Sequence, residues 1–110
     1  MEVMLREALE SVCGAVFPSV APHGATGPYI IWQRVGGRDT TYLDNSAGPR
    51  NSRVQISVWS LSKFESGQLL ERVDAVLREH EEMSCKPTTS PFDAIDGKLY
   101  GVQQTWGIWS

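Results

Sequence analysis

The sequence predicts an α+β fold, in which a mainly antiparallel sheet of about four strands packs against an N-terminal helix and one long amphipathic helix. Three observations favour this class. Two segments repeat apolar residues at helical spacing, several others are rich in β-branched and aromatic residues, and an Asp-Gly pair stands between two strand-like segments. With 110 residues, 41% hydrophobic and 21% charged, the chain is typical of one globular domain.

The first element is a short amphipathic helix over residues 2–13. Charged residues fill one side, and apolar residues recur at helical spacing on the other, namely Val3, Met4, Leu5, Ala8 and Val12. Gly14 is a plausible end for this helix. Residues 17–28 are rich in proline and glycine, which predicts a loop.

The next element is a strand over residues 29–35, whose apolar start, Tyr29-Ile30-Ile31-Trp32, indicates burial on both faces. Gly36-Gly37 ends it. Residues 36–50 are polar and turn-forming, and loops of more than about 12 residues are uncommon in compact domains unless they serve a function. A β-hairpin arm is an equal alternative, with residues 40–43 as its strand-like part.

A second strand covers residues 50–59, where apolar and polar residues alternate. Because successive side chains point to opposite sides of a sheet, the apolar set faces the core, namely Val54, Ile56 and Val58. Trp59 falls on the polar face by the same rule. We therefore expect Trp59 outside the main core, unless the strand contains a bulge there, and regard it as a candidate contact residue.

The long helix is predicted over residues 62–81. Ser62-Lys63-Phe64-Glu65 has the capping-box pattern, in which the serine hydroxyl and the glutamate carboxylate satisfy backbone N–H groups of the first turn. Its apolar stripe comprises Leu69, Leu70, Val73, Val76 and Leu77. Gly67 inside the helix costs up to about 1 kcal/mol relative to alanine, which predicts close packing against another backbone.

The last third of the chain predicts an edge strand and a hairpin. Residues 86–92 contain two prolines, which lack the N–H of a central strand, so only an edge or irregular strand fits. Asp96-Gly97 predicts a tight turn with positive φ at both residues. The returning strand, residues 98–109, has one mostly apolar face, formed by Tyr100, Val102, Trp106 and Ile108.

Composition argues against several classes of function. The formal net charge is −3 and the basic residues are scattered, so no stripe suits a nucleic-acid backbone. The first residues include acids and lack a long apolar run, so they fit neither a signal peptide nor a membrane span. We therefore expect a cytoplasmic protein. Cys13 and Cys85 lack metal-ligand spacing; a disulfide between them stays open, but two thiols are the simpler interpretation.

Candidate catalytic groups all have simpler structural explanations. His23 lies in a proline-rich loop and His80 near a helix end, where a positive charge suits the helix dipole. Asp93 and Asp96 form a carboxylate pair, but turns favour aspartate in any case. Gly36-Gly37 does not precede a helix, as a phosphate-binding loop would. We therefore predict no catalytic, cofactor-binding or metal-binding residue, and no enzyme.

The tryptophans offer the best candidates for a partner surface, because tryptophan is enriched at interface centres. The four lie on three predicted strands, at Trp32, Trp59, Trp106 and Trp109. Core packing is an equal alternative for each. Trp59 and Trp109 are the better interface candidates, because the residues that share their faces are partly polar.

Several segments, taken in order, resemble the tail-completion proteins of tailed bacteriophages and prophages, a family also described as head-tail joining proteins. The segments are Val16-Phe17-Pro18, Pro28-Tyr29-Ile30-Ile31-Trp32-Gln33-Arg34, Leu43-Asp44 followed by Gly48, and Arg53-Val54-Gln55-Ile56-Ser57-Val58-Trp59. A helix like that at residues 62–81 and an aromatic terminal strand complete the pattern. One departure is the short, Pro- and Thr-rich stretch before the last hairpin, which puts the edge strand in doubt.

The resemblance implies a structural protein without catalytic residues or cofactors, which forms a ring of about six subunits at the head-proximal end of a tail. Implied partners are the chain itself, a tail-tube protein and a head-connector protein, with no membrane and no specific nucleic acid. The location would be the virion tail or neck, after assembly in the host cytoplasm. Expected interface residues are Arg38, Asp39, Asp44 and Arg50 in the arm, with Arg53, Trp59 and Trp109.

Two other functions compete with this interpretation. The first is a small cytosolic ligand-binding or enzyme domain that uses a pocket between helix and sheet. The second is an interaction adaptor unrelated to phage.

Overall fold

The computed structural model describes residues 2–22, 24–25, 27–37 and 51–109. Two helices and six strands follow one another in the order α1 (Glu2–Glu10), β1 (Val16–Pro18), β2 (Tyr29–Gly37), β3 (Asn51–Ser60), α2 (Lys63–Arg78), β4 (Ser84–Pro87), β5 (Phe92–Asp96) and β6 (Leu99–Trp109). In the described part of the chain, no helix is both long enough and apolar enough to cross a membrane.

The sheet is built around β3 and β6, which pair antiparallel along their whole length from Asn51 opposite Trp109 to Ser60 opposite Tyr100. The strand order is β1-β2-β3-β6-β4, and β5 pairs with the first half of β6 on the same side as β4. Only β1 runs parallel to its neighbour. The α+β class is confirmed, with both expected helices.

The expected count of about four strands is wrong, because the sheet has six. β1 was missed since three residues ending in Pro18 carry no periodic signal, and their pairing with β2 is visible only in three dimensions. The predicted proline-containing edge is present as two short strands, β4 and β5, with the interruption lying between Pro87 and Phe92.

The core lies on one face of the sheet, under both helices. Val54, Ile56 and Val58 are fully buried there, as the alternation in β3 predicts, and Val54 is opposite the fully buried Trp106. The buried residues of α2 join the same cluster, namely Leu69, Leu70, Val73 and Leu77. At the start of β2, Tyr29 and Ile30 are buried but the next two residues only half so, which limits two-sided burial to the strand's first residues.

α2 begins at its predicted cap and ends earlier than expected. The Ser62 hydroxyl accepts a hydrogen bond from the Glu65 backbone N–H at 3.3 Å, whereas the Ser62 N–H donates to the Ser60 hydroxyl at 3.2 Å. The Ser60 hydroxyl thus accepts the backbone N–H of the cap residue, the role that a capping box gives to the glutamate carboxylate. Beyond the helix, Nδ1 of His80 accepts the backbone N–H groups of Glu82 and Met83, each at 3.1 Å.

Two expectations about glycine are corrected. A β-carbon at Gly67 would meet no described atom within 4 Å, so the predicted close packing is wrong. In the β5–β6 hairpin, Asp96 pairs with Leu99, which makes Gly97 and Lys98 the turn residues. Gly97 has φ 62°. Ser19 is the only described non-glycine residue with positive φ, so φ is negative at Lys98. The turn therefore has the type II′ pattern and not positive φ at both residues.

Candidate interaction surface

The sheet face opposite the helices, called here the open face, has both helices packed on its reverse side. Because directly paired residues share a face, the register of β2, β3 and β6 defines its members. They are Tyr29, Ile31, Gln33, Arg53, Gln55, Ser57, Trp59, Gln103, Thr105 and Trp109. Arg53 is the charged residue of these three strands. On the outer strands, Lys86 pairs with Gly107 and Asp96 with Leu99, so two further charged residues lie on the same face.

Trp59 lies on the open face, where its side chain is half-buried and rests above a glycine of the neighbouring strand. Gly101 is directly opposite in the register, and a β-carbon there would lie 2.7 to 2.8 Å from three atoms of the indole ring. The ring therefore occupies the space that a side chain at position 101 would need. Trp59 is held outside the main core without a bulge in β3 at that position.

Trp109 repeats this arrangement at the other end of the open face. Its ring lies beside Gly107, where a β-carbon would be 3.1 Å from the nearest ring atom, and the Thr88 methyl group lies 3.5 Å from the same point. Trp109 is also half-buried. Both tryptophans thus rest on glycines of β6, which fixes their orientation before any partner binds.

The candidate interface residues in the described ranges fall at two ends of the open face. Arg53 is exposed and pairs with Gly107, which places it beside Trp109. Trp59 lies six residues further along β3, or roughly 20 Å at the rise of an extended strand. The four arm residues lie outside the described residues, namely Arg38, Asp39, Asp44 and Arg50.

Uncharged side chains, all polar except that of Ile31, cover the open face between the two tryptophans. Gln33, Gln55 and Thr105 form one row across three strands, and Ile31, Ser57 and Gln103 form the next. Such side chains can exchange hydrogen bonds with a partner without the desolvation cost of a charge. The described face therefore combines neutral hydrogen-bonding groups with an aromatic residue at each end, a composition typical of interface centres.

The other two tryptophans are not part of this surface. Trp106 is fully buried in the core, and the Arg78 guanidinium lies 5.8 Å from its ring centroid, which is a cation–π distance. Trp32 is half-buried and packs against the core cluster.

Tyr29 supports the Trp59 end of the open face, a role that the sequence analysis missed. It pairs with Trp59 across β2 and β3, is buried, and makes an edge-to-face contact with Phe17 at 6.0 Å between ring centroids. Burial raises the pKa of the Tyr29 hydroxyl, and the negative charge of Asp96 raises it further. Phe17 belongs to the short strand β1, so no local sequence pattern predicted its contact with Tyr29.

The candidate chemical groups do not converge. Asp93 and Asp96 lie on opposite faces of β5, because they are an odd number of residues apart, and Asp93 pairs with Lys63 at 3.4 Å on the surface. His23 lies outside the described residues. Within the described ranges, no group of three or more His, Cys, Asp or Glu side chains could hold a metal ion.

The two cysteines are free and buried. The Cys13 thiol lies 3.5 Å from the Pro28 carbonyl oxygen, which ties the first helix segment to the start of β2. Burial raises the pKa of the Cys85 thiol to about 11, so this group stays protonated at neutral pH. The thiol interpretation of the sequence is confirmed.

One depression between α2 and the sheet edge corresponds to the pocket of the competing enzyme hypothesis. It measures about 220 Å³ and is lined by Leu70, Glu71, Asp74, Pro91 and Gln104. Two of its polar side chains are already engaged, since Asp74 pairs with Arg78 and the Gln104 amide donates to the Thr89 carbonyl at 3.0 Å. Typical ligand pockets measure about 300 to 1,000 Å³. Two other surface depressions, of about 400 and 600 Å³, fall in this range, but they are lined by residues of α2 and not of the sheet.

Comparison with known proteins identifies a family and solved structures with a similar fold. Residues 4–103 match the family model described as Tail completion protein gp17. The sequence matched no curated protein. A chain of the solved structure described as "Virion of native gene transfer agent (GTA) particle" shares the fold, with a TM-score of 0.62 and 12% sequence identity, over 96% of this chain and 90% of that chain.

Proposed function

The chain belongs to the family of tail completion protein gp17 and has a structural role in a phage-type tail, and we propose that it closes the head-proximal end of the tail tube as a ring of about six subunits. In this position it joins the tail to the head. The observation that carries the proposal is the family match over residues 4–103, which includes α2 and β1 to β5 whole and the first half of β6.

The proposed partners follow from this position. One side of the ring contacts the tail-tube protein and the other the head-connector protein, and neighbouring subunits contact each other head to tail. A ring contact joins two different surfaces of one chain, so each copy needs a surface that differs from the one it meets. The fold neighbour comes from a virion particle, which agrees with a virion location for this chain. Assembly takes place in the host cytoplasm, and no catalysis is involved.

The open face supports a protein partner better than a nucleic-acid partner. Its described charges are those of Arg53, Lys86 and Asp96, which include both signs and form no basic stripe. Its two tryptophans are held in place by Gly101 and Gly107. Side chains that are already ordered lose less conformational entropy on binding. We therefore assign Trp59, Trp109 and Arg53 to the contact with another protein of the tail.

The stretch between Gly37 and Asn51 is proposed as the second contact element. Its sequence carries Arg38, Asp39, Asp44 and Arg50, and charges of both signs favour a specific orientation against a neighbouring subunit. This assignment uses the length and polarity of the stretch.

Complementation in a lysogen tests the arm. In a host whose prophage encodes this chain, the gene is deleted and restored from a plasmid, either intact or without residues 38–48. The intact gene is expected to restore joined, infectious particles, whereas the shortened gene leaves separate heads and tails in electron micrographs. Full assembly with the shortened gene refutes the contact role of residues 38–48. Joined particles in the deletion host without a plasmid copy of the gene refute the proposed function.

A further inference from the structure

The three outer edges of the sheet differ in whether they can accept another strand. An unpaired edge presents a row of backbone N–H and C=O groups, and proteins commonly protect it with proline or charge. The outer edges here belong to β1, β4 and β5. Along an edge strand, successive residues direct their backbone N–H and C=O groups alternately inward and outward. The inward hydrogen bonds of a strand therefore identify the residues whose backbone groups face outward.

The β1 edge is blocked. Ile30 donates its N–H to the Ala15 carbonyl at 2.9 Å, and Ser19 donates to the Trp32 carbonyl at 2.9 Å, so the odd-numbered residues bond inward. Val16 and Pro18 therefore face outward. Pro18 has no N–H, and its carbonyl already accepts the Val20 N–H at 2.7 Å, so little of this edge remains for a partner.

The β4 edge is interrupted by a proline, which leaves the backbone of Cys85 as its other outward residue. Thr88 donates its N–H to the Thr105 carbonyl at 2.8 Å, which fixes the alternation along this strand. Pro87, one residue earlier, faces outward. Proline at an outward position of an edge strand leaves the inner ladder intact and removes the outer donor.

The β5 edge is open as far as the described residues show. The two-residue turn at Gly97 and Lys98 makes Asp96 and Leu99 the hydrogen-bonded closing pair, so Asp96 and Ala94 bond inward to β6. Asp93 and Ile95 then direct both their N–H and C=O groups outward, and β5 contains no proline. Ile95 is 71% exposed and lies beside the exposed Tyr100, which adds apolar surface next to the edge.

We propose that the outward backbone groups of Asp93 and Ile95, here called the β5 edge, bind an extended segment of a second copy of this chain by strand addition. The inference rests on the proposed ring and names its acceptor surface. Every copy carries one β5 edge, and a closed ring of identical chains offers each edge one neighbouring copy.

The geometry also limits which part of the second copy can bind. Pairing of β5 with another β5 would close a twofold dimer instead of a ring. The outward sides of β1 and β4 are interrupted by Pro18 and Pro87. The partner segment therefore lies elsewhere in the second copy. The prolines in β1 and β4 shorten two edges and so disfavour sheet-to-sheet pairing there, and the β5 edge gives the contact its direction.

A proline substitution with a matched control tests the proposal. Ile95→Pro removes one outward N–H, whereas Ile95→Thr keeps the backbone and a β-branched side chain. In the complementation system described above, the Thr variant is expected in purified particles at the wild-type level, and the Pro variant at less than about one tenth of it. Incorporation of a folded Pro variant at the wild-type level overturns the proposal. If Ile95→Pro does not fold, Asp93→Pro replaces it.

Photo-cross-linking identifies what binds the edge. Benzoylphenylalanine at position 95 is expected to cross-link two copies of this chain in particles through a peptide outside β5, whereas the same group at position 20, beside the blocked β1 edge, gives no such product. A cross-link between two β5 strands, a link to a different virion protein, or no link at position 95 overturns the proposal. Absence of the wild-type chain from particles refutes the proposed function instead, so the two failures are distinguishable.

Discussion

Trp59 occupies the space above Gly101, its direct partner on β6, so closely that a β-carbon at position 101 would lie 2.7 Å from the indole ring. The pair explains how a large aromatic side chain stays on the open face without a bulge in β3. It also links the orientation of a proposed contact residue to a glycine that makes no contact with a partner itself.

Gly101→Ala is therefore expected to displace the Trp59 ring and to lower the free energy of unfolding by about 1 to 3 kcal/mol, the usual cost of overpacking. Denaturant unfolding monitored by tryptophan fluorescence measures both effects. Gly107→Ala is the matched control, since its β-carbon would be 3.1 Å from the Trp109 ring and demands a smaller shift. Equal stability of Gly101→Ala and wild type would contradict the close approach.

Gly67→Ala is expected to stabilise the protein by about 0.5 to 1 kcal/mol. Position 67 is inside α2, and a β-carbon there meets no described atom within 4 Å, so only the helix propensity changes. The midpoint of urea unfolding gives the difference. A loss of stability would show that another part of the chain packs closely against this glycine.

Ser66→Ala is expected to destabilise the protein by about 1 to 3 kcal/mol. The fully buried Ser66 hydroxyl bridges the Ser60 hydroxyl and the Tyr100 carbonyl, each at 2.7 Å, and its loss removes two buried hydrogen bonds. Ser62→Ala removes only the exposed cap bond to Glu65 and should cost about 1 kcal/mol. A smaller effect at position 66 than at position 62 in thermal unfolding would contradict this ranking.

Cys85 is expected to weaken the fold at alkaline pH. Burial raises the pKa of this thiol in the folded state to about 11 from its ordinary value of 9.0. The unfolded chain therefore loses its proton first, and the stabilisation present below about pH 9 declines as the pH rises towards 11. Cys85→Ala should flatten the dependence of the unfolding midpoint on pH between 9 and 11, and an unchanged slope would contradict this cause.

Local sequence patterns predicted the elements whose signals are contained within a few residues. The alternation in β3 identified Val54, Ile56 and Val58 as core, and Ser62 was placed correctly as the helix cap. β1 could not be found in this way, because its three residues depend on pairing with β2. The space around Gly67 likewise depends on the tertiary packing and not on the helix sequence.

The candidate surface was predicted only in part, for the same reason. Parity placed Trp59 and Trp109 each on the partly polar face of its own strand, but their common face, their glycine supports and the buried Tyr29 involve pairing between strands. The contrast between the edges interrupted at Pro18 and Pro87 and the open β5 edge also requires the register. The interface roles of Arg38, Asp39, Asp44, Arg50, Arg53, Trp59 and Trp109 stay predictions.

The number and position of copies of this chain in purified particles test the central claim most directly. Quantitative mass spectrometry against the tail-tube protein, combined with averaged electron micrographs of the neck, measures both quantities. The proposed ring predicts about six copies per particle, all at the junction of head and tail. Absence from particles, or copies distributed along the tail tube, would contradict it.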